Sequence, residues 1–405
     1  MKPCGLLGEK LGHSFSPLIH SRFGSYEYRL FPTPREELGA FLQSGTFANL
    51  NVTIPYKKEV IPYCRTLSPL AKQIGSVNTV KVTEDGLVGY NTDYFGFCYM
   101  LEKAGIPIKG EKCAVIGNGG VSATVCAALE NLGAAQISII TEEKNTPAFI
   151  DTLADHTVVI NTSPVGMYPK NGNRPLDLCQ FHALKGVADL IYNPLKTALI
   201  LQAEELGVPC IGGLSMLVAQ AKQAAEIFED KTIGNELLED VIREIAFLCT
   251  NIILIGMPGS GKSTIGKAIA QKLDKPFFDT DALIEKRAGK PIPQIFAEDG
   301  EDRFRELESL VLSELSAKSG VVIATGGGII KKKENHAYLR QNGRIVFVER
   351  PLQALSTNGR PLSSSAEAVA KLYEERYPIY RMLADLTVQN TQTVEHAVEA
   401  VCSQI

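Results

Sequence analysis

Along this 405-residue chain, short apolar runs alternate with stretches whose apolar residues recur every three or four positions. The first pattern predicts buried strands, the second amphipathic helices. In residues 1–100, strands are expected at 26–30 and 50–54 and helices at 17–23 and 35–43. From residue 112 the alternation becomes regular. A strand at 112–116 enters a glycine turn, and a helix follows over 123–132, with Val125, Leu129 and Leu132 in step and Gly133 at its end. Strands at 136–140, 157–161 and 186–190 and helices at 214–228 and 232–248 come next. The rhythm then restarts with strand 252–255, a glycine turn, and a helix carrying Ile265, Ile269 and Leu273. Strands at 277–278, 321–324 and 345–348 and helices from 300 and over 374–385 complete it. Strands alternating with helices in this way predict the α/β class with parallel sheets.

Both restarts place glycines between a strand and a helix. The later one reads Gly256-x-x-x-x-Gly261-Lys262-Ser263, the P-loop pattern in its required context. Its glycines let successive N–H groups face a phosphate chain; Lys262 adds a point charge and Ser263 a hydroxyl for Mg²⁺. The earlier one, Gly117-x-Gly119-Gly120, has Ser122 where the third spaced glycine would fall. It opens a βαβ unit of dinucleotide-binding type with an incomplete fingerprint.

Polar clusters punctuate the predicted elements. Ser14 and Ser16 precede Pro17, and Ser16 is the expected cap of the helix there. In Asn51-Val52-Thr53-Ile54-Pro55-Tyr56-Lys57, strand alternation sets Asn51, Thr53 and Lys57 apart from Val52 and Ile54. Two further glycine turns carry Asn78 and Asp93. Singly each cluster reads as a capped turn; together their hydroxyl, amide, ammonium and carboxylate groups suit a small polyhydroxy acid. Later strand ends carry Asn161 and Tyr192, and Gln220 is the odd polar member of its helix. Polar groups at strand ends are where open α/β sheets bind ligands.

Composition narrows the partners. The formal charge of −4 offers no basic field for nucleic acid or anionic lipid. No run approaches the roughly 18 apolar residues of a membrane-spanning helix, and the opening MKPCGLLGEK lacks a signal peptide's apolar core. Nine scattered cysteines without a C-x-x-C pair argue for reduced thiols in the cytoplasm, with neither zinc site nor disulfide framework. Lys331–Lys333 reads as a solvated loop or helix start.

In their order and spacing, Ser14-x-Ser16, NVTIPYK, GSVNT, GYNTD, the first glycine turn, NTSPVGM, DLIYNP and GGLSMLVAQ resemble shikimate dehydrogenase over about residues 1–230. GMPGSGKST, DTD, GEDRFRELE, ATGGG, GRPL and the late Arg376-Tyr377-Pro378-x-Tyr380 resemble shikimate kinase over about 251–405. The resemblance implies a substrate-binding α/β domain at 1–100, to which helices 214–247 return. A shortened Rossmann-like domain at 101–213 and a P-loop kinase domain of nucleoside-monophosphate-kinase type at 251–405 follow. It implies reduction of 3-dehydroshikimate to shikimate and phosphorylation of shikimate by ATP. No nucleic acid or membrane partner is expected, and the oligomeric state stays open.

For the first activity, Lys57 and Asp93 match the catalytic pair. Ser14, Ser16, Thr53, Asn78, Asp93, Tyr192 and Gln220 match positions that bind shikimate; Gly117, Asn118, Gly119, Gly120, Val121, Leu190 and Gly213 match the cofactor side. There the chain departs from the family. Ala123 stands where an arginine is usual, and Thr141-Glu142-Glu143 replaces Asn-Arg-Thr, whose arginine receives the 2′-phosphate of NADP. Glu142 repels that phosphate but suits a free 2′-hydroxyl, and the lobe is about 20 residues short between Ile140 and Val158. NADP is the family's cofactor, and NAD its competitor here. Two alternatives stay open: an active kinase carrying a degenerate dehydrogenase that only binds shikimate, and a quinate-type dehydrogenase using NAD.

For the second activity, Gly259, Ser260, Gly261, Lys262, Ser263 and Thr264 match the ATP site, with Ser263 and Asp279 on the side of Mg²⁺. Asp281 matches the carboxylate at the substrate hydroxyls, Arg305 and Arg376 the arginines around its carboxylate, and Gly327 a backbone donor. Arg360 matches the lid arginine, and Thr357 stands where many members have an arginine near the adenine.

Overall fold

The structure, a computed structural model, describes residues 2–12, 14–355 and 366–405. The chain divides into two compact units. The first comprises Met1–Met167, Asn173–Asn193 and Leu199–Ala246, the second Tyr168–Gly172, Pro194–Ala198 and Phe247–Ile405.

The first unit holds two sheets. Strands β1 (Cys4–Gly8), β2 (Tyr28–Pro32), β3 (Asn49–Val52), β4 (Thr66–Leu67), β5 (Thr79–Thr83) and β6 (Gly86–Tyr90) form a mixed sheet in the order β2-β1-β3-β5-β6-β4. Antiparallel pairing of β3 with β5 sets Asn51 opposite Thr79. Strands β7 (Lys112–Ile116), β8 (Gln136–Ile140), β9 (Val158–Asn161), β10 (Gly186–Asp189) and β11 (Cys210–Gly212) form a parallel sheet in the order β11-β10-β9-β7-β8. A complete dinucleotide-binding sheet runs 3-2-1-4-5-6. Here β8, β7, β9, β10 and β11 stand for strands 2, 1, 4, 5 and 6, and only the short helix Pro147–Asp151 lies between β8 and β9. The shortening thus coincides with the absence, among the described residues, of a third strand, which leaves β8 at the margin. Helices Asp93–Ala104 and Leu214–Glu229 approach so closely that a Cβ on Gly96 would lie 2.6 Å from the Met216 carbonyl oxygen.

The second unit is built on the parallel strands β12 (Asn251–Ile255), β13 (Phe277–Asp279), β14 (Val322–Ala324), β15 (Gly343–Glu349) and β16 (Leu386–Gln389), in the order β13-β14-β12-β15-β16. The central strand β12 is buried along its whole length, as a continuous apolar run requires. Its Ile252 and Leu254 join Ile265, Ile269, Val398 and Val401 in one core, while Ile253 and Ile255 join Val311, Leu312, Leu315 and Tyr380 in another. The buried turn Gln341–Asn342 belongs to this unit, and so do its partners: Asn171 Nδ2 donates to Gln341 Oε1 at 2.9 Å, and the Leu195 N–H to Asn342 Oδ1 at 2.7 Å. No helix of the described residues is long and apolar enough to cross a membrane.

Three local expectations are corrected. The helix after Ser14 starts at Ser16 itself, with Phe15 before it and no side-chain cap. Instead Ser14 Oγ accepts from the Ser16 N–H at 3.2 Å. The strand expected at 50–54 ends at Val52, so its alternation does not reach Ile54, which is 76% exposed. The strand expected at 26–30 runs instead from Tyr28, because Tyr26 turns aside to meet His20.

Candidate active sites

In the first unit, Ser14, Ser16, Thr53, Lys57, Asn78, Asp93, Tyr192 and Gln220 line one cavity of about 310 Å³. The ends of β1 and β3, the starts of two helices and the loop after β10 bring them together. Lys57 Nζ lies 2.6 Å from Asp93 Oδ2, with side chains 17% and 10% exposed. Asp93 opens the helix Asp93–Ala104, and that start is held from below. Asn78 Oδ1 accepts the Thr92 N–H at 2.7 Å, and Asn78 Nδ2 donates to Thr92 Oγ1 at 3.0 Å. One amide hydrogen of Asn78 is left for the cavity. Beneath it, Tyr28 Oη donates to Asn51 Oδ1 at 2.8 Å, and Asn51 Nδ2 to Thr79 Oγ1 at 3.2 Å. Asn51 lines the same cavity. Gln220 Nε2 donates to the Leu217 carbonyl at 2.8 Å, which fixes the amide on its own helix.

Val121, Leu190 and Gly213 border this cavity. The other residues expected on the cofactor side sit at the top of β7 and β8. Gly117 (φ +100°) donates its N–H to the Ile140 carbonyl at 2.9 Å, so the glycine turn abuts Thr141 and Glu142. Gly119 and Gly120 have open space where a Cβ would be, and the helix Gly120–Asn131 starts there. Glycines at a helix start suit a pyrophosphate, whereas the exposed Glu142 adds a negative charge beside them.

In the second unit, Gly259, Gly261, Lys262, Ser263 and Thr264 share a cavity of about 600 Å³ with Asp281, Arg305, Gly327 and Arg376. The P-loop's Gly256, Gly259 and Gly261 have φ values of +145°, +81° and +97°, a region that favours glycine. Lys262 Nζ donates to the Gly256 and Met257 carbonyls at 2.9 Å each. Ser260, expected at the ATP site, is instead fully buried and does not line the cavity: its N–H donates to the Met257 carbonyl at 3.1 Å and its carbonyl accepts from Asn390 Nδ2 at 2.7 Å. Ser263 Oγ donates to Asp279 Oδ2 at 2.6 Å, while Asp279 Oδ1 caps the helix Thr280–Ala288. Among the described residues no group of three His, Cys, Asp or Glu side chains is placed to hold a metal alone. A Ser–Asp pair that leaves most ligand positions to phosphate and water fits Mg²⁺.

Arg305 donates to Glu308 Oε2 at 2.7 Å and to Glu301 Oε1 at 3.0 Å. Burial pushes the Glu308 carboxyl above its ordinary range, and Arg305 opposes that shift. The buried Arg376 keeps Nε and Nη2 without a hydrogen-bond partner among the described residues, an arrangement that fits an incoming carboxylate. Gly326 and Gly328 permit the crowding: a Cβ on Gly326 would lie 2.7 Å from Asp281 Oδ1 and from Glu308 Oε1. Tyr380 Oη donates to the Gly327 carbonyl. Thr357 and Arg360 lie outside the described residues.

The sequence motifs include Glu308 and Tyr380 without assigning them a role, and they omit Arg350. Glu308 stands three residues after Arg305 and Tyr380 four after Arg376, spacings that put each pair on one helix face. Arg350 follows directly on β15, at the ligand-binding end of the sheet.

Residues 6–80 match the family model described as the shikimate dehydrogenase substrate binding domain, and residues 258–405 match that of shikimate kinase. A shikimate dehydrogenase (NADP(+)) of Clostridium beijerinckii is 35% identical over 255 residues, covering 58% of this chain and 94% of that protein. A shikimate kinase of the same organism is 41% identical over 155 residues, covering 37% of this chain and 91% of that one. Among solved structures, a chorismate mutase/shikimate 5-dehydrogenase fusion protein from Clostridium acetobutylicum has a TM-score of 0.56 at 36% identity, covering 60% of this chain and 96% of that chain.

Proposed function

We propose how the chemistry is divided in this chain, which belongs to the shikimate dehydrogenase family in its N-terminal part and to the shikimate kinase family in its C-terminal part. It is a bifunctional enzyme of the shikimate pathway, an oxidoreductase and a phosphotransferase on one polypeptide. In the proposed sequence, the first unit reduces 3-dehydroshikimate to shikimate and the second transfers the γ-phosphoryl of ATP to a shikimate hydroxyl. The nine free cysteines support a cytoplasmic location.

The dehydrogenase reading is carried by the convergence of polar groups from widely separated stretches on the Lys57–Asp93 pair. A nicotinamide cofactor bound at the Gly117 turn supplies the hydride. Lys57 donates a proton to the ketone oxygen as it becomes an alcohol, and Asp93 holds the ammonium at that oxygen. Ser14, Ser16 and Thr53 offer hydroxyl donors to the substrate carboxylate; Asn78, Tyr192 and Gln220 complete its hydrogen bonds. Glu142 supports a cofactor with a free 2′-hydroxyl, that is NAD, although the relatives carry NADP(+) in their names.

In the kinase, the P-loop amides, Lys262 and Thr264 hold the phosphate chain, and Ser263 and Asp279 hold Mg²⁺, which neutralises phosphate charge when bound. The free N–H groups of Arg376 and the fixed fork of Arg305 grip the shikimate carboxylate. Asp281 orients the reacting hydroxyl and accepts its proton. Arg360 is assigned the transferred phosphoryl group by its motif alone.

The test is one assay with 3-dehydroshikimate and ATP, run with NADPH and then with NADH. Cofactor oxidation with formation of shikimate 3-phosphate and ADP is expected in both, faster per unit concentration with NADH. A strong preference for NADPH would remove the argument from Glu142. Shikimate phosphorylation without any cofactor oxidation would leave the first unit as a binding module.

A further inference from the structure

The kinase cavity contains a fourth basic side chain that the proposed phosphoryl transfer does not employ. Strands β12 and β15 pair in parallel with Ile255 opposite Phe347, so the chain leaving β15 rises beside the P-loop. The fit is tight: a Cβ on Gly256 would lie 2.5 Å from the Val348 carbonyl oxygen. Arg350 is the first residue past β15, and it lines the same cavity as Gly259, Gly261, Lys262, Ser263 and Thr264. Its Nη1 donates to the Gly259 carbonyl oxygen at 3.3 Å. That bond is long, and it orients the guanidinium more than it satisfies it.

The other cations of the cavity are already engaged or directed elsewhere. Arg305 is paired with Glu301 and Glu308. Lys262 is turned onto two loop carbonyls. Arg376 lies buried near Tyr380, on the Gly327 side. Arg350 has no carboxylate within ion-pair distance among the described residues. A guanidinium carries five N–H donors, of which Gly259 takes one. A half-buried cation without a counter-charge among the described residues, anchored on the outer turn of a loop shaped for phosphates, lacks an anion that the loop itself attracts.

We infer that Arg350 is a nucleotide ligand whose guanidinium binds the polyphosphate of ATP on the Gly259 side, supplementing Lys262. The inference rests on the kinase reading and names a contact that the sequence motifs do not contain.

The test uses the full-length chain with Arg350→Met and Arg350→Lys. Dissociation constants for MgADP and for AMP are measured by calorimetry, and KM is measured for ATP and for shikimate. In Arg350→Met, MgADP affinity falls and KM for ATP rises about tenfold or more, as loss of a charge-assisted contact implies. AMP affinity and KM for shikimate stay within about twofold. Arg350→Lys falls between, since it keeps the charge and loses the planar fork. Unchanged MgADP affinity in Arg350→Met overturns the inference, and so does equal weakening of MgADP, AMP and shikimate, which marks a structural role. A wild-type protein that binds MgADP but does not phosphorylate shikimate overturns the kinase reading instead. The MgADP comparison still decides whether Arg350 touches phosphate.

Discussion

His20 shows how far a single residue is shaped by its surroundings. It is 1% exposed, stacks on Tyr28 with ring centroids 4.1 Å apart, and meets Tyr26 Oη through Nδ1 at 2.7 Å. Burial pushes its pKa down to about 3, with Asn51 opposing the shift. Unfolding returns it to an ordinary value of about 6.5. The unfolded chain therefore takes up a proton that the folded chain refuses. The stability contributed by neutral His20 is complete above pH 6.5 and is lost as pH falls towards 3. Between pH 6.5 and 4.5, the unfolding free energy of the wild type should drop faster than that of His20→Phe by about 1.4 kcal/mol per pH unit. Urea titrations followed by circular dichroism at the two pH values give the comparison, and parallel pH slopes would exclude this histidine as the cause. None of this is legible in the sequence, where His20 is one polar residue in a short helix. Lys57, Asp93, Arg305 and Arg376 were legible because their chemistry comes with fixed neighbours. Glu308 and Tyr380 stood in the motifs without a role, because their partners, the Arg305 guanidinium and the Gly327 carbonyl, are set by the fold.

Among the elements, the regular βαβ pieces were the easiest to foresee. The strand Gln136–Ile140 lies where the apolar pattern put it, and β12 lengthens its predicted run by one residue. Errors gathered where side chains override periodicity, as at Tyr26, or where a strand stops for a turn, as after Val52. The cofactor lobe is the informative case. A deficit of about 20 residues was visible in the sequence, but only the sheet order shows that it removes a whole strand position. On the proposed reading, the adenosine end of a dinucleotide rests on the turn after β8, which raises the weight of Glu142. Replacing Glu142 by Arg should shift the ratio of kcat/KM for NADPH over NADH upward by about tenfold or more. Steady-state kinetics with both cofactors measures it, and an unmoved ratio would show that the 2′ position lies elsewhere.

At the scale of the whole molecule, the second unit is not continuous in sequence. Tyr168–Gly172 and Pro194–Ala198 belong to it, and Gln341 and Asn342 hold them through one buried and one partly buried hydrogen bond. Periodicity does not reveal such segments, since neither contains a strand or a full helix. A fragment beginning at Phe247 lacks both pieces and leaves those amides to water. Its melting midpoint should lie roughly 4 °C or more below the kinase transition of the full chain, identified by its shift with MgADP. Scanning calorimetry of the two proteins decides, and equal midpoints would show that the segments contribute nothing. The shortened cofactor sheet also bears on how the protein behaves in a tube. Its last strand, β8, ends the hydrogen-bond ladder, and Ile139 on it is 40% exposed. Unpaired N–H and C=O groups beside an apolar side chain are a template for another chain's strand. High protein concentration is then a condition expected to turn a clear solution of this enzyme cloudy, and a charged residue in place of Ile139 should lower the turbidity that light scattering records.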